Sequence, residues 1–222
     1  MGYRLENKDI NLNEKKFTRI AQGKTGNVFK CNGYAIKVFN NYAEDIIDLE
    51  TAKYLTGIRT NRIILPNKLL FYNNGFKGYS MKLVKKDPKQ KKIINCPTDE
   101  LIRNVEIIEE DIKTLSDKKV LLNGINPENT TFNGKLYLTD PSKYRILDIG
   151  STEELEKLNN YQFYILLTNL IIKELNKSHI SASTIQRMKE LLSLKDDSIY
   201  YSDYLEEILE DNSSIKTLIK KI

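Results

Sequence analysis

From Tyr161 to Leu175 the chain reads YQFYILLTNLIIKEL, a run whose apolar residues leave almost no polar face for water. A helix built this way belongs inside a lobe, because no side of it gains from exposure. Other segments must then wrap it, and the sequence offers helices at roughly 183–193, 202–210 and 213–221. Upstream, residues 99–116 place Leu101, Val105, Ile108, Ile112 and Leu115 at steps of four and three, and the stretch at 152–158 starts a further helical region. The stripe at 99–116 spans only about two heptads, which fits a core-facing amphipathic helix better than a coiled coil. The second half of the chain therefore reads as mainly helical.

The first half has a different period. FTRIA, NVFKC and YAIKVF, between Phe17 and Phe39, read as three strands joined by AQGKTGN and by Asn32-Gly33, a dipeptide suited to a two-residue hairpin turn. Residues 63–70 and 76–84 add two more strands across Asn73-Asn74-Gly75, and residues 43–55 between them read as a helix. Five strands and one helix in 1–84, then a helical remainder in 85–222, define an α+β chain. The join at 82–92 is crowded with Lys82, Lys85, Lys86, Lys89, Lys91 and Lys92 around a proline. Without interleaved aromatics it reads as a solvated connector and not as a nucleic-acid surface.

Composition narrows the function classes. Of 222 residues, 29% are charged and 40% hydrophobic, as expected of a soluble globular protein, and a net charge of +5 is too small to point to nucleic acid. Cys31 and Cys96 stand far apart, which argues against a disulfide framework or a zinc site and for a reducing cytoplasm. No apolar run has the length to span a bilayer, and the polar start, residues 1–16, does not read as a signal peptide. Met1-Gly2 opens like a myristoylation site, but Glu6 stands where Ser or Thr is wanted. The single histidine, His179, removes His-based triads and His-rich metal sites.

Three places carry chemistry. Gly23 and Gly26 form either a plain turn or a flap whose N–H groups close over phosphates. In YAIKVF, alternation sets Ala35, Lys37 and Phe39 on one face and Ile36 and Val38 on the other. Lys37 is then either a sheet-edge lysine or one held inside. At about 100° per residue, Glu50 falls within the apolar stripe of Ala43, Ile46, Ile47 and Tyr54. It either pairs with Lys37 or sits solvated at the stripe's margin. The third place is VLLNGINPENTTFNGKLYLTD, residues 120–140. Asn133-Gly134 predicts a hairpin that brings Asn129 and Asp140 together, as turn formers or as a carbonyl oxygen and a carboxylate on one Mg²⁺.

In this order the set resembles the protein-kinase-like fold. IAQGKTGNVF is similar to its glycine-rich loop, AIKVF to its lysine strand, Glu50 to its pairing glutamate, and GYSMKLV to the strand entering its hinge. NGINPEN resembles its catalytic loop and TDPSKY its metal-binding motif. The resemblance covers most of the chain to about Leu175. It implies a bilobal protein-kinase-like domain, with a five-stranded antiparallel N-terminal lobe carrying one helix and a mainly helical C-terminal lobe. It implies ATP held by Gly23, Gly26, Val28, Ala35, Lys37, Met81 and the backbone of Lys82 and Val84, with Met81 at the gatekeeper position. Lys37 and Glu50 take the catalytic ion-pair roles, and Asn129 and Asp140 hold Mg²⁺.

The departures shape the expected function. Leu122-Asn123-Gly124 replaces His-Arg-Asp, so Gly124 stands at the position of the proton-accepting aspartate. Asn126 replaces a lysine, Asp140-Pro141-Ser142 replaces Asp-Phe-Gly, Ala21 replaces the first loop glycine, and no Ala-Pro-Glu motif follows. The expectation is an ATP- and Mg²⁺-binding pseudokinase or weak, atypical phosphotransferase. The alternatives are a transferase, nucleotidyl transfer included, with a different base such as Asp148, or a scaffold that engages a protein partner without nucleotide.

Overall fold

The computed structural model describes residues 2–44, 46–85, 91–148, 150–178, 180–193 and 200–222. Lys86 and Lys89 of the basic connector, and His179, lie outside the described residues. The chain is α+β. Its antiparallel sheet contains β1 (Tyr3–Leu5), β2 (Lys8–Ile10), β3 (Thr18–Gln22), β4 (Gly26–Cys31), β5 (Tyr34–Phe39), β6 (Pro66–Tyr72) and β7 (Gly75–Lys82), in the order β2-β1-β6-β7-β5-β4-β3.

Seven strands stand where the sequence predicts five. The two additional ones come from the polar N-terminal stretch, where Tyr3, Leu5, Ile10 and Leu12 alternate with charged and polar residues. These residues, with Phe17 and Phe29, pack on Ile36, Val38 and Leu70 and cover the sheet face turned away from the helices. The expected turns form: Asn32 and Gly33 adopt φ of 45° and 85°, and Asn73 and Asn74 adopt 50° and 65°. Positive φ at both central positions matches the right-handed twist of the flanking strands.

Helix α1 runs over Leu49–Thr56, six residues later than the sequence predicts. Asp48 is the cause: its carboxylate accepts the N–H of Thr51 at 2.7 Å and fixes the helix start. Residues 43, 44 and 46–48 are not helical, so the stripe drawn through Ala43, Ile46 and Ile47 does not continue into α1. The helix buries Thr51, Ala52 and Leu55, leaving Glu50 and Tyr54 exposed.

Helix α2 (Thr98–Asp117) inserts Leu101, Val105, Ile108, Ile112 and Leu115, the predicted stripe, fully into the core. Helix α3 (Thr152–Asn176) is a single helix started by a capping box between Ser151 and Glu154. It is less enclosed than its composition predicts. Phe163, Leu166, Leu167, Ile171 and Leu175 are buried, but Leu158, Tyr161 and Ile165 form an exposed edge. Helices α4 (Ala182–Leu191), α5 (Tyr201–Leu209) and α6 (Ile215–Ile219) complete the helical half. Among the described residues, no helix is long and apolar enough to cross a membrane.

One continuous core joins sheet and helices, running from Ala35, Phe39, Tyr79 and Met81 through Leu138 and Tyr144 to Phe163 and Leu205. Two buried polar side chains of the helices reach into the segments that carry the site. Asn159 donates to the Val120 carbonyl at 2.9 Å and accepts the Leu122 N–H at 2.8 Å, and the Asn104 carbonyl accepts the N–H of Leu136 at 2.9 Å.

Candidate functional site

The site grows from two loops and the inner face of the sheet. In antiparallel pairing, directly opposed residues and residues two apart share a face. Val28 pairs with Lys37 and Lys37 with Tyr79, while Ala35 pairs with Met81. Val28, Ala35, Lys37, Tyr79 and Met81 therefore line one face, the one turned toward the helices. Ala35 and Met81 are buried and Val28 packs against the same core.

Lys37 is only 3% exposed. A buried ammonium needs a partner, and the one it has is Asp140, whose Oδ2 lies 2.5 Å from Nζ. The Ser142 hydroxyl accepts a second hydrogen bond from Lys37 at 3.2 Å. Burial holds the Lys37 pKa below its ordinary value, while the Asp140 charge and hydrogen bond work in the opposite direction. Glu50 is not this partner. It is exposed in the first turn of α1 and makes no hydrogen bond or ion pair with another described residue. The Lys37–Glu50 pairing is thus corrected to Lys37–Asp140, and the solvated reading of Glu50 is the one observed.

Asp140 is delivered by a hairpin. Strands β9 (Thr130–Phe132) and β10 (Leu136–Leu138) pair with Phe132 opposite Leu136, so the connection is three residues long, with Gly134 at φ 92°. Beyond the last strand pair, the Asn129 carbonyl accepts the Thr139 N–H at 2.8 Å and the Thr139 hydroxyl at 3.0 Å. Asn129 and the residue preceding Asp140 are thus fastened together, as the turn predicts. Asp140 Oδ1 accepts the Ser142 N–H at 3.1 Å and the Tyr79 hydroxyl at 3.4 Å. Burial first, then the nearby carboxylate, pushes the Tyr79 hydroxyl well above its ordinary pKa and keeps it a donor.

The loop before the hairpin is built by Asn126. Its side-chain oxygen accepts the N–H groups of Glu128 and Asn129 at 2.9 and 3.1 Å, and its amide donates to the Gly124 carbonyl at 3.2 Å. Gly124 has φ +74°, and a Cβ there would come within 2.7 Å of the Lys143 side chain. The predicted base position is therefore closed to a side chain both by backbone conformation and by the stem of Lys143. Asp148, the alternative base, is exposed after the short strand β11 (Arg145–Ile146), which pairs with β8 (Val120–Leu121).

The glycine turn between β3 and β4 is held closed by its neighbours. Gly23 N–H bonds the Gly26 carbonyl at 2.9 Å, and the Asn40 amide donates to the carbonyls of Gly23 and Lys24. Gly26 has a packing reason of its own, since a Cβ there would lie 2.2 Å from the Val38 carbonyl oxygen. At the other end of the sheet, Lys82 is exposed with its ammonium 5.8 Å from the Tyr137 ring, and Val84 packs against the core.

A nucleotide–metal group can be weighed against these donors. Asp140 keeps 19% of its side chain exposed, and of about four lone-pair positions on a carboxylate three are engaged. The Asn129 side chain is half-buried and bonds no other described residue. Among the described residues no three His, Cys, Asp or Glu side chains gather as a metal site. A cation here would rest on Asp140, the Asn129 amide oxygen and the oxygens of its ligand, a sparse hard-oxygen set that fits Mg²⁺.

Sequence reasoning misses Ser142 and Tyr79. Tyr79 had a signal, since it alternates with Met81 onto the Lys37 face. Ser142 had none, because its role depends on how the chain turns after Asp140. Comparison with models of known protein families gives no match, and comparison with curated proteins gives none either.

Proposed function

We propose that this chain is a bilobal protein-kinase-like protein, with lobes at 1–84 and 85–222, that binds ATP with Mg²⁺ through a degenerate catalytic loop. It acts as a pseudokinase or as a weak, atypical phosphotransferase of the cytoplasm. The observation that carries the reading is the convergence of Lys37 and Asp140 on the helix-facing side of the sheet, with Asn129 fastened beside Asp140. Val28, Ala35 and Met81 share that face and supply an apolar bed of the kind an adenine ring uses.

In this reading Lys37 binds the phosphate chain and Asp140 orients it, taking the tether role the sequence had given to Glu50. Asn129 and Asp140 would hold the metal, whose charge would offset that of the phosphates. Phosphoryl transfer relies mainly on positioning and charge neutralisation, so a site lacking a base retains part of its capacity. The missing base at Gly124 lowers the rate by on the order of 10²- to 10⁴-fold. Nucleotidyl transfer with Asp148 as base is a second transferase reading. A scaffold reading draws on one observation: Lys37 already has two partners, Asp140 and Ser142, as a purely structural ion pair would.

The test is incubation with ATP labelled at the α or the γ phosphate, with Mg²⁺ or Mn²⁺, with Lys37→Ala and Asp140→Asn as controls. Transfer of γ label supports a kinase, and transfer of α label a nucleotidyltransferase. Metal-dependent binding without transfer leaves the pseudokinase, and no binding leaves the scaffold.

A further inference from the structure

A second group of polar side chains lies on β10 and the loop after α1. The backbone of that loop is clamped. The buried Asp111 carboxylate accepts the N–H groups of Asn61, Arg62 and Ile63 at 2.6 to 3.0 Å, and the Arg62 carbonyl accepts the Leu138 N–H at 3.0 Å. The Arg62 side chain therefore leaves a fixed base. Its guanidinium carbon lies 5.0 Å from the centre of the Tyr137 ring, and Nη1 donates to the Tyr137 hydroxyl oxygen at 2.8 Å. Lys82, at the end of β7, brings its ammonium to 5.8 Å from the same ring.

The two cations can only donate, and the Tyr137 hydroxyl can donate as well as accept. Arg62 and Lys82 form no ion pair with a carboxylate among the described residues. The Arg62 Nε–H is shielded from water and meets no acceptor among the described residues. Because the Tyr137 oxygen accepts from Arg62, its own O–H is left to donate elsewhere. Arg62 and Lys82 set two positive charges against the same ring. An arginine fork, an ammonium and a phenol O–H match the oxygens of a phosphate group.

We infer that Arg62, Lys82 and Tyr137 form a binding site for a phosphate-class oxyanion, separate from the Lys37–Asp140 site. The ligand is either the free ion or a phosphate monoester, since both present the same oxygens. The bound anion places negative charge beside the cations and accepts a hydrogen bond from the Tyr137 O–H.

The test uses the full chain, isotopically labelled and titrated by NMR at about 50 mM salt with inorganic phosphate and, separately, with O-phosphoserine. Saturable shifts at the Arg62 Nε–H and around Tyr137 are expected. The Arg62→Met and Lys82→Met variants keep apolar stems and remove charge, and each weakens binding by about tenfold or more. Lys37→Met leaves the affinity unchanged. Tighter binding of O-phosphoserine identifies a monoester site, and equal binding a site for the free ion. No saturable shift in the folded wild-type chain overturns the inference, as does full binding in either charge-removing variant. Equal loss in Lys37→Met overturns it too, by assigning the anion to the other site.

Discussion

Lys37 Nζ and Asp140 Oδ2 meet at 2.5 Å although 103 positions separate them in the chain, and the lysine is almost wholly buried. A contact across that separation joins the sheet to the hairpin that follows α2. Removing one partner leaves the other charge buried. Asp140→Leu is therefore expected to destabilise the fold by about 3–5 kcal/mol, and the double variant Lys37→Met/Asp140→Leu to recover most of that loss. Urea unfolding of the four chains in the cycle checks this. Additive losses would mean that the two residues do not act as a pair.

Glu50 and Asp48 sit two residues apart and have unequal expected effects. Asp48→Ala removes the helix cap and costs about 1 kcal/mol. Glu50→Gln costs only a few tenths of a kcal/mol, the first-turn dipole interaction of a solvated carboxylate that has no partner among the described residues. Thermal unfolding of both variants separates this arrangement from one in which Glu50 holds Lys37, where the order would reverse.

The glycines are not equivalent. Gly26→Ala drives a Cβ to 2.2 Å from a carbonyl oxygen, and a loss of about 2 kcal/mol or more is expected from overpacking. At Gly23 the nearest atom is 3.9 Å away, so alanine is tolerated there. Chemical denaturation of the two variants tests the contrast. Introducing an aspartate at Gly124 is likewise expected to destabilise the loop against Lys143, and a rise in transfer activity in Gly124→Asp would contradict this geometry.

A pH effect is expected at the other end of the helical half. Glu109 is buried, accepting the N–H groups of Tyr201 and Ser202 and the Ser202 hydroxyl at 2.8, 3.2 and 2.5 Å. Burial is the largest influence and raises its pKa, against the hydrogen bonds, which lower it. With the folded value above the unfolded 4.5, the folded state binds the extra proton between the two. The Glu109 contribution is then complete below pH 4.5 and declines as pH rises through the folded value. In Glu109→Gln the stability difference from wild type should change across this window, in favour of the variant at higher pH. Denaturant midpoints at pH 4 and pH 8 measure it, and a constant difference would contradict the assignment.

Much of the path to the site was legible in local pattern. Alternation in YAIKVF set Lys37 on the same face as Ala35 and Phe39, and Asn133-Gly134 announced the hairpin that fastens Asn129 beside Thr139. The partner of Lys37 was not legible. A helical stripe extended back through Ile46 and Ile47 points to Glu50, but Asp48, a good N-cap, starts that helix only at Leu49. Ile47 is instead buried, and its N–H bonds the Ser142 carbonyl at 2.5 Å. The N-terminal strands are not legible in the sequence, because three-residue strands rich in charge resemble a tail until the sheet face they cover is known. In α3, composition predicted enclosure, but the number of neighbours available to cover a helix is a property of the assembled fold.

The most direct test of the central claim is a calorimetric titration of the chain with ATP, with and without Mg²⁺, alongside Lys37→Met and Asp140→Asn. The account predicts saturable binding that strengthens with Mg²⁺ and is lost or weakened by about tenfold or more in each variant. Absence of binding to the folded wild-type chain, or equal affinity in all three proteins, would contradict it.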